Sequence, residues 1–249
     1  MVGDPNAPAE TAVVVDAATG LGEATARALA NGGFHVVLGA TGADKCVELA
    51  ADIGGEAMHL DVTSEDSVHS FAERIHSVSA LIIASGPRRL ESREDASTDD
   101  WRWRWETNIL GALRLTKAFL PHLAAADDGI IVVVSTAENP CTECIEPDGS
   151  AVYSETRALD RLLEAEVNNS GVRLAKIRSA PTEEATTRSE HLRAAQHMPD
   201  GLYRDYSPRM ASDVADFISY VVTGPAKSFV EEISIRPRLD ASPASDRLS

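Results

Sequence analysis

The sequence predicts a doubly wound α/β fold, a parallel sheet of about seven strands flanked by helices, on three observations. Short runs rich in Val and Ile alternate with segments of helical period. A Gly20-Leu21-Gly22 turn follows the first apolar run and opens at once into a helical stretch. The length, 249 residues, is long for one domain but within what such sheets occupy undivided. One domain over residues 1–249 is therefore expected, with the polar ends 1–9 and 238–249 loose.

Strands are predicted at 11–16, 34–39, 56–61, 79–84, 129–135, 172–178 and 228–235. Several are continuous apolar runs, as in strands buried on both faces of a parallel sheet. Helices are predicted at 20–31, 43–52, 64–76, 99–125, 151–168 and 209–223, with Thr98 or Asp99 as an N-cap and Gly171 following a helix end. Right-handed crossovers then give the doubly wound order. The irregular segments 136–150 and 180–206 follow strand C-termini, the side where open α/β sheets bind ligands, and are expected to form the floor and lid of a substrate pocket.

The formal net charge is −16, from 39 acidic and 23 basic residues. Such a surface repels phosphate backbones and anionic membranes, which argues against nucleic-acid and membrane partners. No apolar stretch approaches the ~18 residues that a bilayer span needs, and the first ten residues carry no basic, apolar leader, so a cytoplasmic location is expected. The three cysteines cannot form a disulfide framework. Cys141 and Cys144 make a lone Cys-x-x-Cys without the second pair a zinc site needs, and the histidines are scattered. No metal is expected. Trp101 and Trp105 share a helical face, the pattern of a core or subunit contact.

After the first strand come Val15-Asp16-Ala17-Ala18-Thr19-Gly20-Leu21-Gly22. Glycines between a strand and a helix let backbone N–H groups approach a pyrophosphate, whose charge the helix N-terminus favours. The segment resembles the Thr-Gly-x-x-x-Gly-x-Gly motif of the short-chain dehydrogenase/reductase family, and the resemblance runs along nearly the whole chain. Val15 stands for the Thr and Asp16 for the first Gly. The resemblance implies a Rossmann fold that binds NAD or NADP, with Asp16, Thr19, Gly20, Leu21 and Gly22 at the cofactor. It also implies that Asp61 accepts from the adenine amino group, and that Gly86 matches the glycine of the family's Asn-Ala-Gly. In dinucleotide folds an acidic residue at the second strand's end binds the NAD ribose, while a nearby Arg accommodates the NADP phosphate. Gly39-Ala40-Thr41-Gly42 offers neither, so the preference stays open.

Tyr153 and Arg157 stand four residues apart and share a helical face. They match the family's Tyr-x-x-x-Lys, which implies that Tyr153 is the acid/base at a carbonyl or alcohol and that Arg157 tunes it. Bringing a phenol of pKa ~10 near neutrality takes about 4 kcal/mol of anion stabilisation. Arg157 can supply part of this, but a guanidinium releases no proton. The resemblance also implies that Asn108 holds a relay water and that Thr136, with Ser135 beside it, provides the catalytic hydroxyl. Ser179-Ala180 replaces the family's Pro-Gly. The implied function is an NAD(P)(H)-dependent oxidoreductase for a small carbonyl or alcohol substrate, assembled as a homodimer or homotetramer on helices 99–125 and 151–168. Two other readings stand beside it: a catalytically degenerate relative that binds a nucleotide or partner, and a non-redox enzyme similar to halohydrin dehalogenases, which pair Tyr with Arg.

Overall fold

The computed structural model describes residues 10–18, 20–84, 97–136, 147–179, 211–224 and 228–235, with the backbone alone at 43, 45, 136 and 147–155. Both ends expected to be loose lie outside these residues, as do Cys141, Cys144 and nearly all of 136–150 and 180–206.

Seven strands make one sheet: β1 (Thr11–Val15), β2 (His35–Ala40), β3 (Glu56–His59), β4 (Ala80–Ile83), β5 (Ile130–Thr136), β6 (Arg173–Ser179) and β7 (Glu232–Ile235). They run in the order β3-β2-β1-β4-β5-β6-β7, and every pair is parallel. The helices are α1 (Gly20–Asn31), α2 (Ala43–Ile53), α3 (Glu65–Glu73), α4 (Thr98–Trp105), α5 (Gly111–Ala125), α6 (Pro147–Val167) and α7 (Ala211–Val222). Alternate strand residues feed two cores. Ala12, Val14, Leu38, Ile82 and Val132 pack with α1, α2 and α7, while Val13, Val15, Leu81, Ile83 and Val133 pack with α3, α5 and α6. The order of strands reverses between β1 and β4, so the connections leaving these paired neighbours run in opposite directions where a doubly wound sheet opens its ligand crevice.

Several boundaries move for local reasons. The helix predicted from 99 is capped by Ser97, not by Thr98 or Asp99: Ser97 Oγ accepts from Asp100 N–H at 3.2 Å, and Asp100 Oδ2 accepts from Ser97 N–H at 2.9 Å. That helix is also not continuous to 125, because Glu106–Leu110 form a π-turn between α4 and α5. α6 begins at Pro147 rather than 151, since proline suits a first helical turn whose N–H has no partner. β1 stops at Val15 because Asp16 turns into a left-handed conformation, φ +62°. β3, β4 and β7 are shorter than predicted, as are α3 and α7. Gly171, φ +79°, does follow the end of α6. Trp101, Trp103 and Trp105 are exposed, which removes the core reading of those tryptophans.

Candidate functional site

The glycine turn is built by close packing. Asp16 N–H donates to the Gly39 carbonyl at 2.9 Å, and Ala17 N–H approaches the same oxygen at 3.4 Å, so the turn is tied to the end of β2. A Cβ on Gly22 would stand 2.5 Å from the Asp16 carbonyl oxygen and 2.7 Å from Ala17 Cα. Only glycine fits there, which draws the first turn of α1 against the loop and leaves the short cradle a dinucleotide pyrophosphate needs. This close approach, which a Cβ at position 22 would fill, fits the group that the glycine motif implies. Leu21 is half-buried against the core, while Thr19 and Gly86 lie outside the described residues.

Asp61 follows β3 and folds back on its own loop. Its Oδ1 accepts from the Thr63 hydroxyl at 2.7 Å and the Thr63 N–H at 2.9 Å, and these bonds hold the carboxyl below the usual Asp range. It is therefore an anionic acceptor at neutral pH. Arg114 of α5 secures the neighbouring turn, donating to the Val62 carbonyl at 3.3 Å and to Glu106 Oε1 at 2.5 Å. One guanidinium thereby ties the β3 turn to the π-turn. Neither Glu106 nor Arg114 belongs to a motif, and the sequence reading passed over both.

Asn108 sits half-buried within the π-turn, where Gly111 N–H reaches the Glu106 carbonyl. The wide turn shifts the helix register at this residue, as such bulges often do at functional positions. Ser135 and Thr136 end β5, with Ser135 paired to Arg178 and Thr136 to Ser179 across the ladder. Arg178 Nη1 approaches Ser135 Oγ at 3.5 Å. The side chains of Thr136 and Tyr153 lie outside the described residues, although both backbones are present in β5 and α6.

Arg157 is exposed on α6 and lines an open groove of about 440 Å³ with Asp160, Arg161, Glu164 and Lys176. A ladder of ion pairs underlies that groove. Buried Arg178 donates to Asp160 at 2.5 Å and to Glu232 at 2.9 Å, and Lys176 donates to Glu164 at 2.7 Å. The Arg178 hydrogen bond, with the nearby charges of Arg178, Lys176 and Arg157 adding to it, keeps the Glu232 carboxyl below its ordinary range. Burial pulls Lys176 down, but its bond to Glu164 prevails and leaves it raised. Among the described residues no group of His, Cys, Asp and Glu could hold a metal ion, and no helix is long and apolar enough to cross a membrane.

Comparison with known proteins gives the same lineage as the glycine turn. The sequence model for short chain dehydrogenase matches residues 10–196. An uncharacterized oxidoreductase of Mycobacterium tuberculosis is 40% identical over 239 residues, covering 93% of this chain and 92% of its own. Sulfoacetaldehyde reductase 2 of Chromohalobacter salexigens is 29% identical, covering 92% and 94%. Among solved structures, the alcohol dehydrogenase of the archaeon Thermococcus sibiricus, complexed with 5-hydroxy-NADP, superposes with a TM-score of 0.75 at 26% identity, covering 94% of this chain and 99% of that one. The parallel sheet, the Gly22 close approach and these alignments together make the chain a member of the short-chain dehydrogenase family, a family of oxidoreductases.

Proposed function

We propose that the chain is an NAD(P)(H)-dependent oxidoreductase for a small carbonyl or alcohol, with Tyr153 as acid/base and Arg157 as its tuning cation. One observation carries the reading: α6 keeps positions 153 and 157 one turn apart and packs on β6, whose ladder with β5 runs to Ser135 and Thr136 at the C-terminal ends of the strands. The Thermococcus sibiricus enzyme, complexed with 5-hydroxy-NADP, and the Chromohalobacter salexigens reductase support the cofactor and the carbonyl class. A reduced nicotinamide, when bound, supplies a hydride to the carbonyl carbon. The Thr136 hydroxyl, with Ser135 behind it, donates a hydrogen bond to the carbonyl oxygen and polarises it. Tyr153 gives its phenolic proton to that oxygen as negative charge develops there. Arg157 stabilises the phenolate, and because it releases no proton, water held by Asn108 recharges Tyr153.

Gly20, Gly22, Asp61 and Asp16 hold the dinucleotide in this reading, together with Leu21, Thr19 and Gly86. Trp101, Trp103, Trp105 and Leu162 are exposed on α4 and α6. They support assembly as a homodimer or homotetramer, and light scattering gives the subunit count.

The test is NADH and NADPH oxidation with a panel of small aldehydes and ketones. The parent is expected to turn over, Tyr153→Phe to lose turnover, and Arg157→Lys to raise it by restoring a titratable ammonium. Full activity in Tyr153→Phe would sink the proton assignment. Halide release from a vicinal haloalcohol, lowered by Arg157→Lys, would favour the halohydrin-dehalogenase-like reading. Nucleotide binding without either activity would favour the degenerate binding protein, the reading that Asp16, Arg157 and Ser179-Ala180 support by replacing the family's first Gly, Lys and Pro-Gly.

A further inference from the structure

We infer that Asp16, held left-handed between the ends of β1 and β2, is the acceptor for the adenosine ribose hydroxyls and makes the chain select NAD(H) over NADP(H); the inference rests on the nucleotide-binding reading above. In dinucleotide-binding α/β folds the ribose acid normally stands about 20 residues beyond the glycine turn, after the second strand. Here that stretch reads Ala40-Thr41-Gly42 and supplies neither a carboxylate for the ribose nor a guanidinium for a 2′-phosphate. A carboxylate does stand one strand over. Asp16 follows β1, and its N–H is bonded to the Gly39 carbonyl, next to the last residue of β2. On the other flank Leu60 N–H donates to the Ala40 carbonyl at 3.0 Å, which places Asp61 just beyond β3. The end of β2 therefore lies between Asp16 and Asp61.

The backbone makes the choice of Asp informative. At φ +62° glycine is the unstrained residue, and every other L-residue adopts this conformation at a cost, with Asn and Asp among the most tolerant. The close contact of the turn runs between Gly22 and the Asp16 main chain. What the side chain adds is a half-buried carboxylate on the ligand side of the sheet.

Such a group accepts hydrogen bonds from vicinal ribose hydroxyls and repels a 2′-phosphate. Arg114, whose charge acts on Asp61, is engaged by Glu106 and the Val62 carbonyl. A 2′-phosphate would thus meet two carboxylates across Ala40, Thr41 and Gly42.

The experiment measures dissociation constants of NADH and NADPH by fluorescence, and of 5′-AMP and 2′,5′-ADP by calorimetry, for the parent, Asp16→Gly and Asp16→Asn, with melting temperatures alongside. The parent should bind NADH at least about tenfold more tightly than NADPH. Asp16→Gly should weaken NADH and 5′-AMP about tenfold and tighten NADPH and 2′,5′-ADP several-fold, without a lower melting temperature. Asp16→Asn, which keeps an acceptor oxygen but not the charge, should fall between. An unchanged NADH-to-NADPH ratio in Asp16→Gly, or a parent that prefers NADPH, overturns the inference and leaves nucleotide binding intact. A parent that binds none of these ligands overturns the nucleotide-binding reading itself.

Discussion

The two flanks of the sheet solve the same packing problem with different materials. On the β1–β2 flank the strands bury Ala12, Val13, Val14, Val36, Val37 and Leu38, and the ligand-side turn is shaped by contact with a glycine. On the β6–β7 flank, Arg173, Lys176 and Arg178 are buried within a single strand, each facing a carboxylate: Asp128, Glu164, and the pair Asp160 and Glu232. The family motif survives best on the first flank, in Gly20 and Gly22. It departs there at Val15 and Asp16, while its departures at Arg157 and Ser179 fall on the second, beside the ion-pair ladder. A flank held by apolar shape responds to volume, whereas one held by buried charge responds to the loss of a partner.

Removing one partner from the ladder should therefore have the largest effect. Asp160→Ala leaves the Arg178 guanidinium buried with only the half-exposed Glu232, at an expected cost of about 3 kcal/mol in urea unfolding. Replacing both partners, Asp160→Leu with Arg178→Met, should recover most of that loss. A double variant no better than the single one would show that the ladder does more than neutralise itself.

On the apolar flank, Gly22→Ala forces a methyl group against main chain at 2.5 Å, and about 2 kcal/mol of destabilisation is expected by the same measurement. A neutral result would mean that the turn yields easily. This variant tests fold and nucleotide site together, which is why Asp16 is the cleaner handle on binding.

The smallest effect concerns pH. Because the Arg178 bond depresses the Glu232 carboxyl, its contribution is fully present above the ordinary Glu pKa of ~4.3 and is lost as pH falls through the lowered folded-state value. Glu232 is partly solvent-screened, so Glu232→Gln should cost under about 1 kcal/mol at neutral pH, with the gap to the parent closing between about pH 5 and pH 3. A gap independent of pH in denaturant titrations would assign the Arg178 anchor to Asp160 alone.

The strands and the doubly wound class were legible because a buried parallel sheet writes Val/Ile runs such as Thr11–Val15 and Ile130–Val134 directly into the sequence. Helix ends were legible only to within a few residues, since Ser97 and Pro147 act through local bonding geometry that several neighbours could equally provide. The π-turn at Glu106–Leu110 has no signature in hydrophobic period. Nor do Arg178–Asp160 and Arg114–Glu106, whose partners stand 18 and 8 positions apart and meet only after folding. At the site, the glycines were readable as chemistry, while the left-handed turn at Asp16 depends on how β1 meets β2, which no motif states.

That turn bears on how the chain is able to vary. Aspartate and glycine codons differ by a single base, so the glycine form of position 16 lies within reach of any one replication error. At φ +62° that form folds with less backbone strain than the resident residue. Backbone strain alone therefore favours glycine here, and the carboxylate persists as long as what it contacts or binds outweighs that strain.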